Sequence, residues 1–178
     1  MNKTSKLMEM LVGYAAAHQH PFNVAVHLVG IPIIMLGVFI PLSWFEIQLP
    51  GLTITGAHIA AFILFAFYMT LDAVFAVVFL IAGLAVAELA FVLGGYSLAT
   101  SSWIAAGAFF GGYAAQFIGH AVEKSMPVLV KHPVQANLAA PFFTVVEIFG
   151  LLGLRKQLFD EVNATVAARR SAEATATP

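Results

Sequence analysis

The chain has 178 residues, 61% hydrophobic and 10% charged, with a mean hydropathy of +0.92; these values exclude an ordinary soluble domain and fit a small polytopic membrane protein. The net charge of −1 offers no basic patch, which argues against a nucleic-acid partner. The absence of cysteine excludes disulfides, thiolate metal sites and a cysteine nucleophile, so a bound metal must take nitrogen and oxygen ligands.

Residues 1–20 carry Glu9, His18 and His20 and lack a compact apolar stretch before a small-residue cleavage site, so no cleaved signal is expected. Leu7, Leu11, Tyr14 and His18 recur at i, i+4, i+7 and i+11, which predicts an amphipathic helix over residues 4–18 at the membrane interface. Pro21 suits the first turn of a second helix, expected to run to Ile40, kink at Pro32 and end at Pro41. Residues 43–55 (SWFEIQLPGLTIT) are expected as a loop with Trp44 at interface depth. A short apolar helix over 56–71, a turn at Asp72, a helix over 73–93 stopped by Gly94-Gly95, and a helix over 102–124 follow. Pro127 and Pro133 break the chain before a fifth apolar stretch, 138–154, which contains Pro141 and Glu147. The organisation expected is one membrane-embedded helical domain over 1–155 and a polar cytoplasmic tail over 156–178, partly disordered.

A span needs about 20 residues. No Lys or Arg occurs between Lys6 and Lys124, and the other basic residues are Lys3, Lys131, Arg155, Lys156, Arg169 and Arg170. With four spans both ends lie on one side. If 138–154 does not cross, all eight basic residues face the cytoplasm, as the positive-inside tendency prefers. The fold expected is all-α: a bundle of four transmembrane helices, an N-terminal interfacial helix and a re-entrant or interfacial fifth segment.

Two polar stripes interrupt the hydrocarbon. His20, Asn23 and His27 follow i, i+3, i+7 and share one face of a helix; Gln116, His120 and Glu123 follow i, i+4, i+7, with Tyr113 one turn earlier. Such groups are costly at membrane depth unless they pair or bind something. Singly, each reads as interhelical glue; together they suggest a buried metal site. His18, beyond Pro21, is free to fold back toward it. The candidate ligands are His18, His20, His27, His120 and Glu123, and Asn23, Gln116, Tyr113 and Glu123 are candidate catalytic or orienting groups. Weaker candidates are Glu147, a carboxylate flanked by Val145, Val146, Ile148 and Phe149, and His132, in a short loop between prolines. His58 reads as an interface residue, Asp72 as a turn residue and Glu88 as the wet end of a helix. Histidine and carboxylate donors with open positions suit ferrous iron and O₂, and equally a zinc-bound water for lipid hydrolysis. A non-catalytic lipid-binding or scaffold protein is the rival from another class.

The stretch HQHPFNVAVHLVGIP (His18 to Pro32) resembles the N-terminal signature H-x-x-P-x-N-x-x-x-H-x-x-x-x-P of a small integral-membrane family, and QFIGHAVEKSMPVLVKHPVQANLAAPFFTVVE (Gln116 to Glu147) resembles its C-terminal signature. The family is named for a fungal endoplasmic-reticulum enzyme, the 2-hydroxy fatty acid dioxygenase of phytosphingosine breakdown. The resemblance covers about Tyr14 to Leu154. The fungal signature has adjacent histidines where this chain has His18-Gln19-His20. The resemblance implies an Fe(II)-dependent α-oxidation that consumes O₂ as co-substrate and shortens a 2-hydroxy fatty acid by one carbon. His18, His27 and His120 match family histidines, and Asn23, Gln116, Glu123 and Glu147 match its other polar positions. The short, loop-poor chain suggests a bacterial relative in the inner membrane with both termini cytoplasmic. The partners expected are a 2-hydroxy fatty acid and the bilayer, with a homo-oligomer left open.

Overall fold

The computed structural model describes residues 3–17, 20–131 and 133–176. Helix α1 (Lys3–Ala17) buries Leu7 and Leu11 of the expected stripe, together with Val12. Helix α2 (Pro21–Ser43) starts with Pro21 in its first turn and runs through both Pro32 and Pro41. The expected end at Pro41 is therefore too early. Proline has a helical φ, and although it loses the bond to the carbonyl four residues earlier, α2 runs two residues past Pro41 to Ser43.

The segment expected as a loop is a β-hairpin. Strands β1 (Glu46–Leu49) and β2 (Leu52–Thr55) pair antiparallel, with Glu46 opposite Thr55 and Leu49 opposite Leu52. Pro50 and Gly51 form the turn, and Gly51 takes φ +77°, the left-handed conformation that the third position of a Pro-Gly turn requires.

Helices α3 (Gly56–Met69), α4 (Ala73–Gly94) and α5 (Leu98–Glu123) follow, then the short α6 (Val128–Lys131), α7 (Pro133–Leu151) and α8 (Lys156–Ala176). Asp72 caps α4: its Oδ1 accepts the N–H groups of Val74 and Phe75 at 3.0 and 3.1 Å, and its Oδ2 accepts Arg155 Nη1 at 2.7 Å. Asp72→Ala removes cap and ion pair together, with an expected loss of about 1–2 kcal/mol, read as a lower midpoint of thermal unfolding in detergent.

The stretch read as a partly disordered tail is helix α8. Leu158, Val162 and Val166 recur every four residues and form an apolar stripe within a polar sequence. That stripe packs into the cluster holding Leu7, Leu11 and Val12 of α1 with Phe75 and Phe142. The fifth apolar segment lies in a helix that begins at Pro133 rather than 138, a residue suited to a first helical turn, and Pro141 lies inside it. Helix α7 is tied near the α3–α4 turn at two points: Tyr68 Oη donates to the carbonyl of Leu138, in its second turn, at 2.7 Å, and Arg155, past its end, reaches Asp72.

By length and composition, α2, α4 and α7 suffice to cross a membrane. Helix α3 is apolar but has 14 residues, and α5 has 26 residues but carries Thr100, Ser101, Ser102, Gln116 and His120. Helices α2 and α5 pack along each other at glycine-only distance. A Cβ on Gly37 would stand 2.6 Å from the Phe109 nitrogen and 2.9 Å from the Ala105 carbonyl. Backbones this close are the hallmark of small-residue helix pairs in membranes.

Candidate metal centre

The pairing of α2 with α5 brings the start of one to the end of the other. His20 is the N-cap of α2, its Nδ1 accepting the Phe22 N–H at 3.2 Å. Its backbone N–H donates to Glu123 Oε1 at 2.9 Å. The Asn23 carboxamide N–H donates to Glu123 Oε2, and Ser125 Oγ donates to the same oxygen at 3.3 Å. The last residue of α5 thus satisfies N–H groups at the start of α2, where a helix also favours an anion.

Asn23 is completely buried, and its Oδ1 has no hydrogen-bond partner among the described residues. That oxygen lies against Gly119: a Cβ there would stand 2.5 Å from it. Only glycine leaves Asn23 room to face Glu123.

His27 and His120 are both buried, with ring centroids 5.0 Å apart and planes perpendicular. His27 Nδ1 lies 2.9 Å from the Asn23 carbonyl. A carbonyl only accepts, so Nδ1 carries the proton and the lone pair is on Nε2. His120 Nδ1 lies 2.9 Å from Ser125 Oγ, which also lies 3.3 Å from Glu123 Oε2. With its proton on Glu123 the hydroxyl accepts from His120 Nδ1, and this ring then also has its lone pair on Nε2. A partner that takes the Nδ1 proton and leaves Nε2 for the metal is the usual second contact of a metal-binding histidine. His20 is arranged the other way: its Nδ1 lone pair is used in the cap.

Tyr14 of α1 reaches the same region. Its ring stacks on Phe143 at 4.1 Å and 11°, and Glu147, half-buried, lies one turn further along α7. Burial pushes the Tyr14 phenol above its ordinary range, and the carboxylates of Glu147 and Glu123 push it the same way.

The remaining candidates lie apart or undescribed. Tyr113 donates to Asn137 Oδ1 of α7. Gln116 lies in the α2–α5 seam, its Cγ 3.6 Å from where a Cβ on Gly30 would stand. His18 and His132 lie outside the described residues. Among the described residues, no group of three or more His, Asp or Glu side chains is arranged to hold a metal ion. Sequence reasoning missed Tyr14 and Ser125. Tyr14 stands in the apolar stripe of α1, where the spacing was read only as packing. Ser125 comes into place through the left-handed turn at Lys124, φ 56°, which no local residue pattern announces.

The family described as 2-hydroxy-palmitic acid dioxygenase Mpo1-like matches residues 4–152. No curated protein and no solved structure matches the chain. The matched region runs from α1 to the end of α7 and takes in every group gathered around His27 and His120. The chain belongs to the Mpo1-like family of 2-hydroxy-palmitic acid dioxygenases.

Proposed function

We propose that the protein is an Fe(II)-dependent dioxygenase that converts a 2-hydroxy fatty acid and O₂ into a fatty acid one carbon shorter, carbon dioxide and water. The atoms balance: RCH(OH)COOH + O₂ gives RCOOH + CO₂ + H₂O. The family match over residues 4–152 carries the reading, and beside it two imidazoles from α2 and α5 lie 5.0 Å apart with Nδ1 at the Asn23 carbonyl and the Ser125 hydroxyl.

His27 and His120 would supply two nitrogens to ferrous iron, and His18, a further ligand implied by the family resemblance, lies outside the described residues. Bound iron would contribute the activation of O₂ beside the C1–C2 bond. The protein's own groups do the rest. Asn23 and Ser125 orient the two imidazoles through their Nδ1 protons. Glu123 accepts from His20, Asn23 and Ser125 and so joins the ends of α2 and α5. It acts as a positioning residue. The acyl tail extends between helices toward the bilayer.

The deciding experiment is metal analysis of anaerobically purified protein, followed by assay with a 2-hydroxy fatty acid and O₂. Stoichiometric iron and a shortened acid support the proposal. Zinc in place of iron moves the reading to lipid hydrolysis, and no metal after reconstitution with Fe(II) overturns both. Ser125→Ala leaves the His120 ring unoriented while the fold persists. Its iron affinity is expected to fall about 10–100-fold in a chelator competition.

The same reading assigns four spans, α2 to α5, with α7 lying across the cytoplasmic end. The ties of α7 to the α3–α4 turn at Leu138 and Arg155 support it, as does the distribution of the basic residues. The chain lacks cysteine, so single cysteines report topology directly. In intact cells an impermeant maleimide is expected to label a cysteine at Ser97 and spare one at Gln157. Labelling at Gln157 would require α7 to cross.

A further inference from the structure

At the hairpin end of the bundle, His58 and Glu88 form a second polar centre, separate from the one described above. Thr55 N–H donates to His58 Nδ1 at 3.1 Å, and Thr55 Oγ1 lies 2.8 Å from the same nitrogen. A backbone N–H only donates, so Nδ1 is unprotonated and the ring proton is on Nε2. That proton points to Glu88 Oε1 at 3.1 Å. The histidine is the buried member of the pair; the Glu88 side chain is 68% exposed. A neutral imidazole thus holds a carboxylate in place without cancelling its charge. The hairpin, α3 and α4 contain no Lys or Arg that would do so.

The pair stands at the head of a groove of about 660 Å³, walled by β2, α3 and α4. Its volume is in the range of small-molecule sites. Below His58 the wall continues through Ile59, Phe62, Ile63 and Ala66. From Ile59 to Ala66 is about 10 Å along a helix, and Glu88 sits about 9 Å before the end of α4. The groove is therefore polar near the helix ends and apolar toward the middle of the bundle. An amphiphile in a bilayer lies the same way, with its head at the helix ends and its tail inward.

We propose that this groove binds an amphiphile with a protonated amino head, the ammonium meeting Glu88 and the alkyl tail lying along Phe62 and Ala66. Charge selects the head group. An anionic head would face an uncancelled carboxylate, and an alcohol would forgo the ion pair. The occupant is either a free long-chain amine or an amino-headed phospholipid of the bilayer, two sources of one chemistry.

The test uses the full chain in phosphatidylcholine nanodiscs, with hexadecylamine carrying a mid-chain diazirine as photoprobe and the cross-links mapped by mass spectrometry. Labelling is expected on residues 59–66 and is displaced by excess hexadecylamine but poorly by hexadecanol or hexadecanoate. Glu88→Gln keeps an acceptor for His58 Nε2–H, so the local structure stands while the charge goes. This variant is expected to lose labelling about tenfold, the worth of a charged hydrogen-bond partner. Glu46→Gln, on β1 outside the groove, is the charge-matched control and is expected to label as wild type. Nanodiscs containing phosphatidylethanolamine separate the sources: displacement of the probe identifies the bilayer lipid as occupant, and undiminished labelling identifies the free amine. Equal labelling in Glu88→Gln and wild type, or equal displacement by hexadecanol, overturns the proposal.

Discussion

Alanine at His120 is expected to empty the proposed centre of iron, with occupancy below about a tenth of wild type and turnover at least a hundredfold down. Disturbing only a partner of a metal-binding histidine costs about 10–100-fold, and removing the imidazole costs more. His27→Ala should behave alike, because the two rings lie 5.0 Å apart on different helices and neither replaces the other. Iron and turnover are the readouts, with unaltered helical circular dichroism showing that the bundle persists. A His120→Ala protein that keeps both iron and turnover would sink the assignment.

The second large effect is expected far from any ligand. In Gly37→Ala the new methyl carbon would meet the Phe109 nitrogen at 2.6 Å and the Ala105 carbonyl at 2.9 Å, backbone atoms that cannot turn aside. Helices α2 and α5 must separate or slide, at a cost of about 1–3 kcal/mol for overpacking of this kind. The same two helices carry His27 and His120, so a lower midpoint in detergent and reduced iron occupancy should appear together. Gly107→Ala is the control. It lies on α5 with nothing within 4 Å of the added carbon and is expected to be neutral or slightly stabilising, since alanine is the better helix former by roughly 1 kcal/mol. If Gly37→Ala melts as wild type does, helix spacing does not govern the centre.

Most helices were legible because their signals are local. The spacing of Leu7 and Leu11 located α1, Pro21 marked the start of α2, and Gly94-Gly95 closed α4. Helical periodicity puts Asn23 and His27 on one face of α2, and His120 and Glu123 on one face of α5, whereas His20 is the N-cap of α2 and stands outside the helical repeat. What failed were signals weaker than the hydrophobic background. Pro50-Gly51 between alternating strand residues is a hairpin signal, but four-residue strands beside an interfacial Trp44 read equally as a loop. The stripe Leu158–Val162–Val166 was hidden by the alanine and charge around it. Partnerships between distant segments had no signal in either partner. Nothing near His58 announces Glu88, and nothing near Asp72 announces Arg155.

The bond from Asn23 to Glu123 joins residues 100 positions apart, and this separation governs how the protein is made. Ribosomes add about 5–20 residues per second, so roughly 5–20 s pass between synthesis of Asn23 and of its carboxylate partner. Throughout that interval α2 holds a carboxamide and an imidazole with neither Glu123 nor His120 to meet them. Polar groups without partners are costly in hydrocarbon, so the nascent helix favours a hydrated insertion channel over release into lipid until α5 arrives. Assembly of the α2–α5 pair therefore belongs to the end of translation, and a chain cut short before Glu123 would leave the ribosome with its first membrane helix still seeking a partner.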